Sequence, residues 1–334
     1  MMIEMDNVSK TYYTREKTGL FRSRAVPVQA VSNLSLQLRP GEIVGLLGLN
    51  GAGKTTAIRM LSTLLDPTSG RITVDGMSMD LHRRDIQRHI NMIAGGERML
   101  YWRLSGRENL HYFGKLYGLG SAAVTETSER LLREVGLEEA ADRPVEQYSK
   151  GMKQRLQIAR GLINDPSYLF LDEPTLGLDA PIARQLRSTV SSLAKEQGKG
   201  ILLTSHYLNE VEALCDRVYI LNKGRLLLED KTHAIVSRIA GKETAHVDVE
   251  GWSETLREDL DAIEELEPGQ TVVAPAPDND ANRCRISVVA ASADLVVSRL
   301  LPWADRHGLK IVGFHSEKPS LEDAVIMLSK EEAV

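Results

Sequence analysis

Gly48-Leu49-Asn50-Gly51-Ala52-Gly53-Lys54-Thr55 constrains this chain more than any other stretch, because it follows the pattern G-x-x-x-x-G-K-[ST]. Glu42-Ile43-Val44-Gly45-Leu46-Leu47 before it reads as a buried strand. Thr56-Ala57-Ile58-Arg59-Met60-Leu61 after it reads as the opening of a helix, with Leu61, Leu64 and Leu65 continuing the apolar face. In that setting glycines turn successive backbone N–H groups toward the phosphates of a nucleotide, and the helix N-terminus adds its dipole. Asn50, Gly51, Ala52, Gly53, Lys54, Thr55 and Thr56 are the expected contacts. Lys54 reaches the terminal phosphates and Thr55 offers a hydroxyl to Mg²⁺.

A loop of this kind needs a sheet behind it, and 334 residues with 42% apolar content supply one large domain and a smaller one. The net charge of -5 is unevenly spread: residues 243–334 hold 19 acids against 8 Lys/Arg, a net of -11, which leaves +6 for residues 1–242. No stretch approaches the roughly eighteen uncharged apolar residues that span a bilayer, and the opening residues show no signal peptide. Cys215 and Cys284 are too few for a disulfide framework or a zinc site. A soluble chain of the cytosol is the expectation.

Near the N-terminus, residues 5–12 read as a strand running into a loop, and Tyr12 or Tyr13 either stacks on an adenine ring or closes a sheet edge. Residues 10–24 carry Lys10, Arg15, Lys17, Arg22 and Arg24 against Glu16 alone. They read as a loop near a negatively charged surface or as a solvated hairpin tip. A second strand covers residues 30–38. In the middle of the chain, residues 71–76 form a strand and residues 86–94 lead from a helix into another. Residues 107–117 and 124–135 read as helices, with Leu110, Phe113 and Leu116 on one face, inside a compact helical insert over about residues 97–147. Tyr101 and Trp102 either dock a partner or pack locally.

The catalytic half begins at Ser149, the N-cap of a helix in which Gly151 exposes backbone donors. Tyr168-Leu169-Phe170-Leu171 is an apolar strand ending in Asp172-Glu173-Pro174. Two carboxylates at a strand's C-terminal end, in a chain with a phosphate loop, have a specific reading. Asp172 holds Mg²⁺ through water, while Glu173 orients or deprotonates the attacking water. Ile201-Leu202-Leu203-Thr204-Ser205-His206 ends in polar groups, and His206 is placed to sense the transferred phosphate.

Together these stretches resemble the nucleotide-binding subunit of an ABC transporter over about residues 3–235. Gly48 to Thr55 matches the Walker A motif and Tyr168 to Glu173 the Walker B. Residues 149–155 match the signature, Gly177-Leu178-Asp179 the D-loop and His206 the switch histidine. The resemblance implies a P-loop NTPase α/β fold and an ATPase that uses ATP and Mg²⁺. It implies that two copies close head to tail around two ATP molecules, with Walker A from one chain and Ser149 and Gly151 from the other. Asp179 would lie at that junction, and closing and reopening would drive a transmembrane permease at the cytoplasmic face of the membrane. Two departures stand out. The signature has Met152 where glutamine is usual and Lys150 where its first glycine is usual. Gly96 stands at the Q-loop glutamine, so either Glu97 substitutes or water completes the Mg²⁺ coordination.

Residues 236–334 read as a small α+β accessory domain: strands at 246–249, 271–273, 285–290 and 310–314, with helices at 253–266 and 293–307. The ending Pro319-Ser320-Leu321-Glu322-Asp323-Ala324-Val325 is similar to ATPase subunits of ABC-2-type exporters. An ATPase acting on ribosomes or nucleic acid is the main alternative. The single phosphate loop and the acidic tail disfavour it, so no nucleic-acid partner is expected.

Overall fold

The computed structural model describes residues 1–17, 23–94, 100–205, 207–239, 243–263, 271–275, 283–290 and 292–317. Contacts divide the chain into two units, Met1–Thr232 and His233–Val334.

The first unit opens with a long hairpin, β1 (Ile3–Lys17) and β2 (Ser23–Leu38), and then runs the phosphate-loop strand β3 (Ile43–Gly48) into α1 (Lys54–Leu61). Next come β4 (Ser69–Val74), β5 (Met77–Ser78), α2 (Met79–His89) and β6 (Ile90–Ala94). The helical insert follows as α3 (Gly106–Leu116) and α4 (Ser121–Glu134), and α5 (Lys150–Gly161) returns the chain to the sheet. The unit finishes with β7 (Tyr168–Asp172), α6 (Ala180–Lys195), β8 (Gly200–Thr204), α7 (Leu208–Leu214), β9 (Arg217–Asn222) and β10 (Arg225–Lys231).

These strands make two sheets. One is antiparallel in the order β2-β1-β4-β5; the other is six-stranded in the order β10-β9-β3-β8-β7-β6, parallel except for the edge strand β10. The parallel strands are mostly apolar because both of their faces are covered, and all five residues of β8 are buried. The core lies between the sheets: Ile3, Leu34, Leu36 and Leu38 from the hairpin meet Leu46, Phe170, Leu202 and Leu221 from the parallel sheet, with Ile58 and Met60 of α1. Strand order places β3 between β8 and β9, with β7 next beyond β8. The C-terminal ends of β3, β7 and β8 therefore open on one edge, where α/β sheets bind ligands.

The structure revises several expectations in this unit. Residues 10–17 are not a loop; β1 continues to Lys17, paired Tyr12 with Val28 and Glu16 with Arg24. The valines at 26 and 28 extend β2 backward and supply the partner strand. The expected loop tip at 18–22 lies outside the described residues. Leu64 is exposed rather than on the buried face of α1. The helix ends at Leu61 and Thr63 turns the chain at φ 61, with the Leu64 N–H donating to Arg59 O. Leu116 is exposed too, because α3 buries Leu110 and Gly114, one turn apart, and Leu116 falls off that stripe. Tyr101 and Trp102 are about half exposed and so are not core residues. The Tyr101 ring meets Tyr112 edge-on at 4.8 Å, and the Lys153 ammonium sits 4.7 Å from the Trp102 ring centroid.

At the boundary of the units stands α8 (Thr232–Ile239), so the division expected after residue 235 falls inside a helix. The second unit then runs β11 (Glu243–Glu250), α9 (Arg257–Asp261), β12 (Thr271–Pro275), β13 (Arg283–Ala290), α10 (Ala293–Arg306) and β14 (Lys310–Glu317). Its sheet is antiparallel in the order β12-β13-β11-β14, and Val247, Val249, Ile286 and Val288 pack with Leu300 and Trp303 of α10. The helix expected over 253–266 is shorter: a 3-10 turn at Glu254–Leu256 precedes α9, and residues 264–270 lie outside the described set. The ending at 319–325 lies outside it as well.

Candidate active site

The loop between β3 and α1 owes its path to its glycines. Gly53 is the N-cap of α1 at φ 101, a backbone region L side chains rarely adopt, and a Cβ there would come within 2.5 Å of Ala30 O on β2. As a glycine it brings no side-chain cap, so the first-turn N–H groups of Lys54, Thr55 and Thr56 keep their donor capacity for a ligand. Asn50 and Gly51 are exposed while Ala52 is buried, and the Ala52 N–H closes the turn onto Leu49 O at 3.0 Å. The Lys54 side chain is buried and folds back over the loop, its Nζ donating to Gly48 O at 2.6 Å and Leu49 O at 3.2 Å. Burial pushes its ammonium below the ordinary lysine value, while the charges of Glu173 and Asp172 pull it back up. The tertiary fold therefore gathers Lys54 and the two carboxylates into one electrostatic group.

The carboxylates are held from β8. Strand β7 pairs in register with β8 so that Asp172 stands opposite Thr204. Thr204 is fully buried; its Oγ1 donates to Asp172 Oδ1 at 2.7 Å and accepts the Glu173 N–H at 3.1 Å. The Glu173 N–H also reaches Thr204 O at 3.1 Å. Glu173 itself sits at φ 52, a conformation costly for a side chain of its kind and one that recurs at functional sites. Nothing in the strand pattern singled out Thr204. Its place as the last residue of an apolar strand was the available signal; that it stands level with Asp172 comes only from the pairing.

A second group forms around α5. Ser149 is its N-cap, with Oγ accepting the Met152 N–H at 3.3 Å. Gly151 was expected to lie open at the helix start. It is buried instead, because α6 packs over it and Ile182 Cδ1 lies 2.5 Å from where a Cβ would stand. The Lys150 ammonium lies against Gly177, and Asp179 is the exposed N-cap of α6, its side chain making no cap bond. Ser149, Lys150, Gly151, Gly177 and Asp179 thus come together through contacts between α5, α6 and the turn before α6.

Tyr12 is half-buried on β1 opposite Val28, with the Lys10 ammonium 5.6 Å from its ring centroid, while Tyr13 is exposed. Two residues beyond Val28, Ala30 touches the phosphate loop, so one strand carries both the loop contact and the partner of Tyr12. His206, Gly96 and Glu97 lie outside the described residues.

The donor set fits a nucleoside triphosphate: unclaimed N–H groups at a helix start beside a buried ammonium ion. Thr55 is exposed at that start. Among the described residues no cluster of three or more His, Cys, Asp or Glu is arranged to hold a metal. Mg²⁺ takes few protein ligands and draws the rest from phosphate and water, so Thr55 and Asp172 would be the residues to hold it.

Comparison with known proteins agrees with this geometry. A family model described as ABC transporter matches residues 31–176. The ABC transporter ATP-binding protein NatA of Bacillus subtilis (strain 168) is 42% identical over 207 residues, 62% of this chain and 84% of that protein. The linearmycin resistance ATP-binding protein LnrL of the same organism is 33% identical over 328 residues, 98% of each chain. Nod factor export ATP-binding protein I of Ralstonia nicotianae is 33% identical over 317 residues, 93% of this chain and 92% of that one. Among solved structures, a dimeric post-hydrolysis state of the ATP-binding cassette MJ0796, bound to ADP and Pi, superposes with a TM-score of 0.59 at 26% identity, over 69% of this chain and 98% of that one. A relative that matches almost the whole length, and a family model laid over both the phosphate loop and the strand bearing the carboxylates, lead to one conclusion: this chain is an ATP-binding ATPase of the ABC transporter family.

Proposed function

We propose that the chain powers export through a separately encoded membrane subunit of the ABC-2 type, acting at the cytoplasmic face of the membrane. The observation that carries the ATPase half is that β3, which runs into the phosphate loop, and β7, which leads into Asp172 and Glu173, flank β8 and so end on one edge of the parallel sheet. In this reading the N–H groups of Gly51 to Thr56 and the Lys54 ammonium hold the phosphates, and Tyr12 flanks the base. Thr55 and Asp172 hold Mg²⁺, which neutralises phosphate charge when bound. Glu173 accepts a proton from the attacking water or orients it, and His206 contacts the departing phosphate. The second group, with Ser149, Gly151 and Asp179, faces the nucleotide of a second copy, a reading the dimeric MJ0796 neighbour supports. Relatives named for resistance and for Nod factor export favour the exporter branch, as does coverage of residues 236–334 by LnrL, and the second unit serves as an accessory to the dimer. In this reading the substrate path belongs to the membrane partner; no described helix of this chain is long and apolar enough to cross a membrane.

Lys54→Ala and Glu173→Gln should fail differently. The first should weaken Mg-ATP binding and abolish turnover together. The second should keep binding, gain mass with ATP in sedimentation, and slow single-turnover hydrolysis by roughly 10²–10⁴-fold, the range for losing a positioned acid–base group. Near wild-type hydrolysis by Glu173→Gln would overturn the catalytic assignment. ATP-dependent substrate movement in vesicles holding the chain with its membrane subunit tests the exporter half: transport away from the ATPase-bearing face supports it, and transport toward that face would overturn it.

A further inference from the structure

Glu210 on α7 is a buried carboxylate that plays no part in the reading above, yet it binds three segments around it. Its Oε2 accepts the Thr175 hydroxyl at 2.6 Å and the Ser205 hydroxyl at 3.3 Å, and its Oε1 accepts Arg187 Nη1 at 2.8 Å. Thr175 and Ser205 are themselves buried. A buried carboxylate is costly unless its lone pairs are filled, and here each oxygen has a donor.

The location of those donors gives the cluster its meaning. Thr175 lies two residues beyond Glu173, in the turn that leaves β7. Ser205 follows Thr204, the residue that holds both Asp172 and Glu173, and Ser205 Oγ also accepts the Tyr207 N–H at 2.9 Å. Arg187 lies on α6, the helix that Asp179 precedes as N-cap and that packs over Gly151. One side chain thus ties the turns after β7 and β8 to each other and both to α6.

We infer that Glu210 is a positioning residue for hydrolysis: by clamping Thr175 and Ser205 against α6 it fixes the strained turn that presents Glu173. This inference rests on the reading of Glu173 given above. Glu173 sits at positive φ and needs its surroundings to hold it there. Its N–H bonds to Thr204 secure one side of the turn, and the Thr175–Glu210 bond secures the other. Loosening that side should displace the Glu173 carboxylate without touching the phosphate loop, and displacements near 1 Å lower rates by about tenfold to a hundredfold.

The test uses the full chain with Thr175→Val, Thr175→Ser, Glu210→Gln and the Val/Gln double variant, in single-turnover hydrolysis and Mg-ATP titration. Thr175→Val keeps shape and removes the hydroxyl, which guards against a Glu210 variant that fails to fold. We expect Thr175→Val to hydrolyse bound ATP at least about tenfold more slowly with Mg-ATP affinity within about threefold of wild type. Thr175→Ser should restore the rate, and the double variant should be no slower than the slower single. A Thr175→Val rate within about twofold of wild type would overturn the inference, as would failure of Thr175→Ser to rescue or a double effect equal to the product of the singles. Glu173→Gln in the same assay separates the two readings. If it hydrolyses normally, the assignment of Glu173 fails and the inference fails with it. If it is inactive while Thr175→Val is normal, only the positioning role fails.

Discussion

Thr204→Val removes one hydroxyl and almost nothing else. Valine keeps the β-branched shape that suits the buried strand β8, so the local fold should persist. The lost bond is the one from Thr204 Oγ1 to Asp172 Oδ1, 2.7 Å long with an ionised acceptor. Hydrogen bonds to charged groups contribute about 1.5–3 kcal/mol, and Asp172 is only partly buried, so about 2 kcal/mol is the appropriate figure. The Glu173 N–H loses the same hydroxyl but keeps Thr204 O at 3.1 Å, which limits the further cost. For a unit of this size, about 2 kcal/mol lowers the melting temperature by roughly 4–8 °C. The functional consequence should appear in the Mg²⁺ dependence, because Asp172 loses the group that orients it. Removing a partner of a direct metal ligand costs about 10–100-fold in metal affinity, and Asp172, acting through water, should lie at or below the lower end of that range. Thermal melting and an Mg²⁺ titration of ATP hydrolysis on the variant measure both. A melting temperature unchanged within about 1 °C, together with an unchanged Mg²⁺ midpoint, would refute the argument that Thr204 holds the carboxylate.

Two further outcomes follow from the remaining titratable groups. Hydrogen bonds from Arg285 at 2.7 and 2.8 Å hold the Asp248 carboxyl below the ordinary aspartate range, against partial burial, with help from the charges of Arg285, His315 and His246. A depressed value stabilises the folded unit above the unfolded pKa of about 3.9 and is lost as pH falls through the folded value. Asp248→Asn should therefore cost about 1 kcal/mol at pH 7, the upper range for a well-formed surface pair, and progressively less in urea unfolding as pH falls below about 3.9. Burial also pushes the Cys215 thiol well above its ordinary value and packs its sulfur beside Gly45, whereas Cys284 is partly exposed. A thiol reagent at pH 8 should label Cys284 alone in the native chain and both cysteines after denaturation; native labelling of Cys215 would contradict its packing.

Much of the site was legible in the sequence, because its parts are local. A glycine pattern, a lysine and a strand–loop–helix setting specify a phosphate loop through backbone geometry that neighbouring residues alone determine, and the structure caps α1 with Gly53 as that pattern requires. The carboxylates at 172 and 173 were equally readable, since an apolar run ending in two acids leaves little choice of where the strand stops. Where local pattern misled, packing had the last word. Leu64 and Leu116 fit an apolar helical spacing and lie in solvent, because a turn at Thr63 and the stripe through Leu110 and Gly114 decide which face is covered. Residues 13–17, read as the loop after a strand over 5–12, are strand because they pair with β2.

The sequence by itself therefore determined which chemistry is present: a phosphate loop, two carboxylates, a capped helix start and the order in which they occur. Only the tertiary structure decided what those groups stand next to. Lys54 is 118 residues before Asp172 in the chain and within its electrostatic reach because β3 and β7 flank β8. Thr204 supports Asp172 because parallel pairing sets them level, and Glu210 meets Thr175, Ser205 and Arg187 because three elements converge on α7. Strand order and register are long-range choices made by burial of both faces of the sheet, and no window of neighbouring residues contains them.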